Sequence, residues 1–264
     1  MRRLIIGMTA LTLVVGACSS DDGSSGNGAT EPAETTELLV FAAASLTDAF
    51  GEGIGPAFEA ANEGTTIVFN FAASDALAGQ IQSEGTADVF ASASGTWMDA
   101  VQDDPGVVDR TDFVQNRLVI ITPPDNPAGI ASIDDLTNDG VQLVLAAEGV
   151  PVGDYSREAL GNAGIAEEAE ANVVSNEEDN AAVVAKIVAG EGDAAIVYQS
   201  DISEAAANDV ASVAIPDDVN VIATYPIAVV KGASHAGLGA SFVEYVLSAD
   251  GQTALEEYGF QPIS

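Results

Sequence analysis

VFAAASLTDAF, running from Val40 to Phe50, changes character in its middle. The apolar run LLVFAA reads as a buried strand and gives way to Ser45, Leu46, Thr47 and Asp48, where a helix is due to begin. A strand that turns directly into a helix places the helix N-terminus at the carboxyl edge of a sheet, where α/β proteins bind ligands. The first N–H groups of a helix lack intrahelical partners and carry a partial positive charge, so they attract anions. The alanines let a ligand approach the backbone, and Ser45 adds a hydroxyl donor.

The pattern repeats outward from this stretch. NFAASDALAGQI sets Ser74 after a strand and before a helix, again behind two alanines. GVPVGDYSREAL follows the strand LVLAA; Pro151 and Gly153 shape a turn, with the amides near Val152 at the helix start. SNEEDNAAVVAKI opens another helix near Asn180, and IVYQSD ends a strand at Tyr198, whose phenol can donate. Taken singly, each serine and Asn180 is equally a good N-cap, Ser45-Leu-Thr-Asp48 is a variant capping box, and Tyr198 is a packing residue. Recurrence at successive helix starts is what points to one shared anion site.

Strands at 37–43, 65–73 and 87–93 alternate with helical stretches, including the Gly- and Pro56-interrupted LTDAFGEGIGPAFEAAN. Such β-α-β-α-β order predicts an α/β fold with parallel-rich sheets. NRLVIITPPDNP (116–127) begins as a strand and ends in prolines, which suits a crossing between lobes. Alternation resumes with a strand at 141–149, a helix over GDYSREALGNAG, a helix over NEEDNAAVVAKIVAGEG and a strand at 193–201. The apolar segment 219–233 then leads back to two C-terminal helices. The expectation is a two-lobed body, lobe 1 from 37–119 with 226–264 and lobe 2 from 120–225, joined by hinge crossings.

Acids outnumber bases 41 to 7, and two of the bases, Arg2 and Arg3, stand at the very start of the chain. Such a surface repels nucleic acid and anionic lipid. The first 18 residues, MRRLIIGMTALTLVVGAC, have a basic start, a short apolar run and small residues, the pattern of a secretory signal. Val15-Gly16-Ala17-Cys18 resembles a lipobox, so the lone cysteine is expected to be lipidated and to hold the protein at the membrane outside the cytoplasm. Residues 19–36 are rich in Gly, Ser, Thr and acids and read as a flexible tether.

Taken together and in order, FAAASLTDAF, FAASDALAGQI, ADVFASASGTWMD, VPVGDYSREAL, IVYQSD, YPIAVV and ADGQTALEEYGF resemble the bacterial periplasmic molybdate-binding proteins over 38–262. The resemblance implies a two-lobed periplasmic-binding-protein fold that closes over a tetrahedral dianion, molybdate or tungstate, and passes it to an ABC permease. It implies a monomer without a cofactor or catalysis. It implies oxyanion ligation by Ser45, Ser74, the Val152 and Asn180 amides and the Tyr198 phenol, with no protein countercharge. Asn180 stands where the family often has an apolar residue, and Asp154 sits beside the turn where an apolar residue is also expected. Other oxyanions such as sulfate and phosphate remain alternatives, as does a surface enzyme using carboxylates such as Asp75 or Asp154.

Other chemistry has little material. His235 is the single histidine, and no GxxxxGK[ST] motif occurs. A metal cluster or a Ser-His-Asp triad is therefore not expected. Arg157 is placed as a neutraliser of helix acids, Trp97 as a core or lobe-surface residue, and Glu177-Glu178-Asp179 as a solvated helix start.

Overall fold

The computed structural model describes residues 35–202 and 208–263. The leader, Cys18 and nearly all of the tether lie outside the described residues. Among the described residues, no helix is long and apolar enough to cross a membrane.

The first sheet starts with β1 (Thr36–Ala43), β2 (Thr65–Ala72) and β3 (Val89–Ala91), with β1 pairing parallel to both neighbours. The last four residues of β1 are all buried, as expected of a central parallel strand covered on both faces. Helices α1 (Gly55–Ala61), α2 (Ser74–Glu84) and α3 (Gly95–Asp103) complete this half. The chain then enters β4 (Val107–Thr122), and the second half contains β5 (Leu143–Ala146), β6 (Val173–Glu177), β7 (Ala194–Tyr198) and β8 (Ala211–Ala214). Its helices are α4 (Pro151–Asn162), α5 (Ala166–Glu170) and α6 (Asn180–Val188). β9 (Ile222–Val230) returns to the first sheet, followed by α7 (Ala236–Leu247) and α8 (Ala249–Glu257).

The strand order is β2-β1-β3-β9-β4-β7-β5-β6, with β8 on β4. The outer strands pair in parallel, whereas β9 and β4 pair antiparallel with their neighbours. The result is a mixed α/β architecture. β4 belongs to both halves: it pairs with β9 as far as Arg117 and with β7 from Leu118 onward. The exchange of partners therefore falls immediately after Arg117, next to Asn116.

Several local elements differ from the sequence reading, each for a physical reason. β4 starts at Val107 rather than Asn116, because β9 pairs with a polar stretch that carries no strand signal of its own. The stretch read as one helix from Asn176 begins within a strand, β6; Asp179 caps α6, its carboxylate accepting from the Ala182 amide at 2.8 Å. Residues Ile133–Thr137 form a short 3₁₀ turn, closed by a Ser132/Asp135 capping box. β8, a four-residue edge strand, was not anticipated.

The stretch after Ser45 forms a 3₁₀ turn (Ala44–Leu46), then a π-helical segment (Ala49–Ile54) that runs into α1. Glycine is needed at position 55, since a Cβ there would lie 2.7 Å from the Phe69 ring. This close approach seats the helix on an aromatic core. Phe242 meets Phe50 and Phe58 edge-on at 5.7 and 5.3 Å, a favoured geometry for ring pairs. Pro226 lacks an N–H, and the β4–β9 register shifts beside it, between Asp112 and Val114.

Candidate anion site

Five chain segments converge from strand ends. β1 delivers Ser45 in the 3₁₀ turn, β2 delivers Ser74 at the first position of α2, and β5 leads to Val152 in the first turn of α4. β6 leads to Asn180 at the first position of α6, and β7 ends at Tyr198. All five residues line one small cavity of about 10 Å³, together with Ala43, Ala44, Ala73, Ala93, Val150 and Pro151. No charged side chain is among these residues.

Neither serine is spent on capping. The N-cap of α2 is Ala73 and that of the 3₁₀ turn is Ala43, and neither Ser74 nor Ser45 makes a side-chain cap bond. Ser74 Oγ accepts from the Ala93 amide at 3.0 Å, which leaves its own proton free to donate elsewhere. Ser45 Oγ lies 2.9 Å from Tyr225 Oη. Asn180 is not a cap either, since Asp179 holds that position. The amides of Asn180 and Val152, in the first turns of α6 and α4, have no i−4 partner within their helices. Dipoles of several helix starts thus point toward one space.

Glycine at 153 lets α4 begin so close to the end of β5. A Cβ there would overlap the carbonyl oxygens of Ala146 and Ala147. Asp154 turns away from the cavity and accepts from the Gly149 amide at 2.8 Å, which closes the loop before α4. Arg157 is likewise not a ligand: it donates to the carbonyls of Ala146 (2.8 Å) and Gly153 (3.2 Å) and to Asn176 Oδ1 (2.6 Å), bracing the turn from behind. Trp97 Nε1 donates to the Gly149 carbonyl at 2.8 Å, so an α3 residue of the first half grips the loop that carries Val152.

Tyr198 is 1% exposed, and its Oη has no hydrogen-bond partner among protein groups. Burial holds the pKa values of the Tyr198 and Tyr225 phenols well above the usual range, so both keep their protons and remain donors. Asn116, Tyr225 and Asp201 lie within stretches the sequence marks, NRLVIITPPDNP, YPIAVV and IVYQSD, yet nothing in those stretches assigns them a role at the site. Asp201 accepts from Asn180 Nδ2 at 2.6 Å and from the Tyr198 amide at 2.8 Å, tying two cavity-lining residues together. The residue is partly open to a neighbouring groove, yet its carboxyl is enclosed by protein atoms, and that desolvation raises its pKa to about 7.

His235 lies elsewhere, its amide bonded to Asp88 at 2.8 Å and Nδ1 3.5 Å from the same carboxylate. Among the described residues, no group of three or more His, Cys, Asp or Glu side chains is arranged to hold a metal ion. Asp75 does not line the cavity.

Residues 38–261 match the family model described as bacterial extracellular solute-binding protein. This chain belongs to that family. The solute-binding proteins similar to it include the molybdate-binding protein ModA of Mycobacterium tuberculosis, 38% identical over 97% of both chains. ModA of Escherichia coli is 33% identical, with 86% of this chain and 90% of that protein covered. The periplasmic molybdate-binding protein of Azotobacter vinelandii has a TM-score of 0.77 over 86% of this chain and all of that one; at 15% identity it supports the fold alone. The family resemblance seen in the motifs thus holds along nearly the whole body, and the two-lobed periplasmic-binding-protein fold holds with it.

Proposed function

We propose that this solute-binding protein captures a fully deprotonated tetrahedral oxyanion, molybdate or tungstate, between its lobes and delivers it to an ABC importer. The carrying observation is the single cavity on which Ser45, Ser74, the starts of α4 and α6, and the unpartnered Tyr198 phenol converge with no cation among them. Neutral donors suffice for a dianion. Hydrogen bonds to charged groups contribute about 1.5–3 kcal/mol each, while charges beyond about 8 Å are screened at physiological salt. The acidic exterior then slows encounter without much weakening the complex.

Donors without acceptors also select the guest. Hydrogen phosphate carries a proton that needs an acceptor, and none of the cavity's side chains is a carboxylate. The cavity of about 10 Å³ has room for about one water-sized sphere, so a larger tetrahedral guest must part the walls slightly. The match to extracellular solute-binding proteins and to molybdate-binding relatives supports a binder over an enzyme.

The lobes of this reading are 37–119 with 226–264, and 120–225, and the partner exchange along β4 near Asn116 serves as one hinge. The protein acts as a monomer outside the cytoplasm, tethered through a lipid on Cys18. Titration calorimetry and native mass spectrometry against molybdate, tungstate, sulfate and hydrogen phosphate test the reading. Stoichiometric, tight binding of the first two without turnover is expected; preference for hydrogen phosphate, or no binding, would overturn it. Mass analysis of membrane-extracted protein checks the lipid on Cys18.

A further inference from the structure

Ser45 Oγ can donate to a guest only if its single proton is not spent on Tyr225 Oη, and the structure shows a chain of groups that imposes this direction. Asn116 is fully buried, with Oδ1 accepting from the Arg117 amide at 3.0 Å, which fixes the orientation of the amide. Its Nδ2 can only donate, and it faces Ser200 Oγ at 2.8 Å and Tyr225 Oη at 3.4 Å. Tyr225 is also fully buried and has one proton. That proton cannot point at the Asn116 NH₂ group, and the acceptor within bonding geometry is Ser45 Oγ at 2.9 Å. Ser45, which accepts that proton, keeps its own O–H to aim into the cavity.

We infer that Asn116 and Tyr225 are positioning residues that lock Ser45 as an obligate donor and thereby enforce selection against oxyanions that carry a proton. The inference rests on the reading of Ser45 as an oxyanion ligand. The relay runs along the strands that join the halves: Asn116 sits on β4 at the exchange of partners, Tyr225 on β9, and Ser200 in the turn after β7. Without Tyr225 Oη the Ser45 hydroxyl is no longer held with its proton toward the cavity; it can rotate to present a lone pair there, and a P–OH group finds a partner. Selectivity should therefore change more than affinity.

The test is calorimetric titration of wild type, Tyr225→Phe, Ser45→Ala and the double variant with molybdate and with hydrogen phosphate. Tyr225→Phe keeps the ring in place. It should weaken molybdate about three- to tenfold and narrow the molybdate-to-phosphate ratio by about tenfold, and both effects should vanish in the Ser45→Ala background. Equal weakening of both anions, or effects additive with Ser45→Ala, overturns the relay and leaves the site intact. If Ser45→Ala binds molybdate like wild type, the site itself is misplaced and the relay falls with it. Should Tyr225→Phe not fold, Asn116→Asp serves instead. An acceptor at 116 draws the Tyr225 proton away and turns Ser45 into its donor, so the molybdate-to-phosphate ratio should fall; an unchanged ratio overturns the inference.

Discussion

Replacing Tyr198 by Phe removes one oxygen and leaves the ring in its packing against Tyr225, whose centroid lies 5.8 Å away. That oxygen is buried and unmatched by any protein group. A buried hydroxyl without a partner costs about 1–3 kcal/mol, so its removal should raise the stability of the ligand-free protein by an amount within that range. The same oxygen, if it donates to a dianion, contributes about 1.5–3 kcal/mol to the complex, so its loss should weaken molybdate about 10- to 150-fold. The two effects have opposite signs, which distinguishes them from simple damage. Chemical denaturation of the ligand-free protein and calorimetric titration with molybdate measure them separately. A variant that binds as tightly as wild type would refute the placement of Tyr198 in the site. A variant that loses stability and affinity together would show that the oxygen has a structural partner instead.

Further outcomes follow from the same geometry. Gly153→Ala drives a methyl group into the carbonyls of Ala146 and Ala147, so calorimetry should show molybdate binding lost and a thermal melt should show a lower Tm. Trp97→Phe removes the bond to the Gly149 carbonyl and should speed anion release about three- to tenfold in stopped-flow measurements. In wild type, emission from this residue, the chain's single Trp, should respond to molybdate. Asp201 has a pKa of about 7, above the ordinary carboxylate value near 4, so the folded state holds its proton more tightly than the unfolded state. Its contribution to stability is fully present below about pH 4 and is lost as pH rises to about 7, at up to about 1.4 kcal/mol per pH unit. Denaturation of wild type and Asp201→Asn across that window should show the difference shifting in favour of the variant. Molybdate affinity should fall as pH rises through about 7, because the new charge sits behind Asn180 and Tyr198.

Much of the fold was legible because short apolar runs ending in small residues and a helix start leave a local trace. β1, β2 and β5 announce themselves this way and lead to Ser45, Ser74 and Val152, and the apolar run of β7 ends at Tyr198. Elements held by distant partners leave no such trace. The first half of β4 is polar and becomes a strand because β9, more than a hundred residues later, pairs with it. β6 lies inside an acidic run that reads as a helix start, and parallel pairing with β5 overrides that preference.

The chain's own order of residues is enough to place donors at the starts of helices, because the turn from strand to helix is local chemistry. It also shows how little cationic or metal-binding material the chain offers, with seven Lys and Arg, one His and one Cys. Local order could not reveal whether Ser45 and Ser74 cap their helices or face a guest. That depends on Ala93 and Tyr225 occupying the serine lone pairs, contacts spanning 19 and 180 residues. Nor could it reveal Asn116, Tyr225 and Asp201, which matter only once two sheets bring them against the cavity. The direction of a hydrogen bond is set by every neighbour in space at once, and only the folded molecule brings those neighbours together.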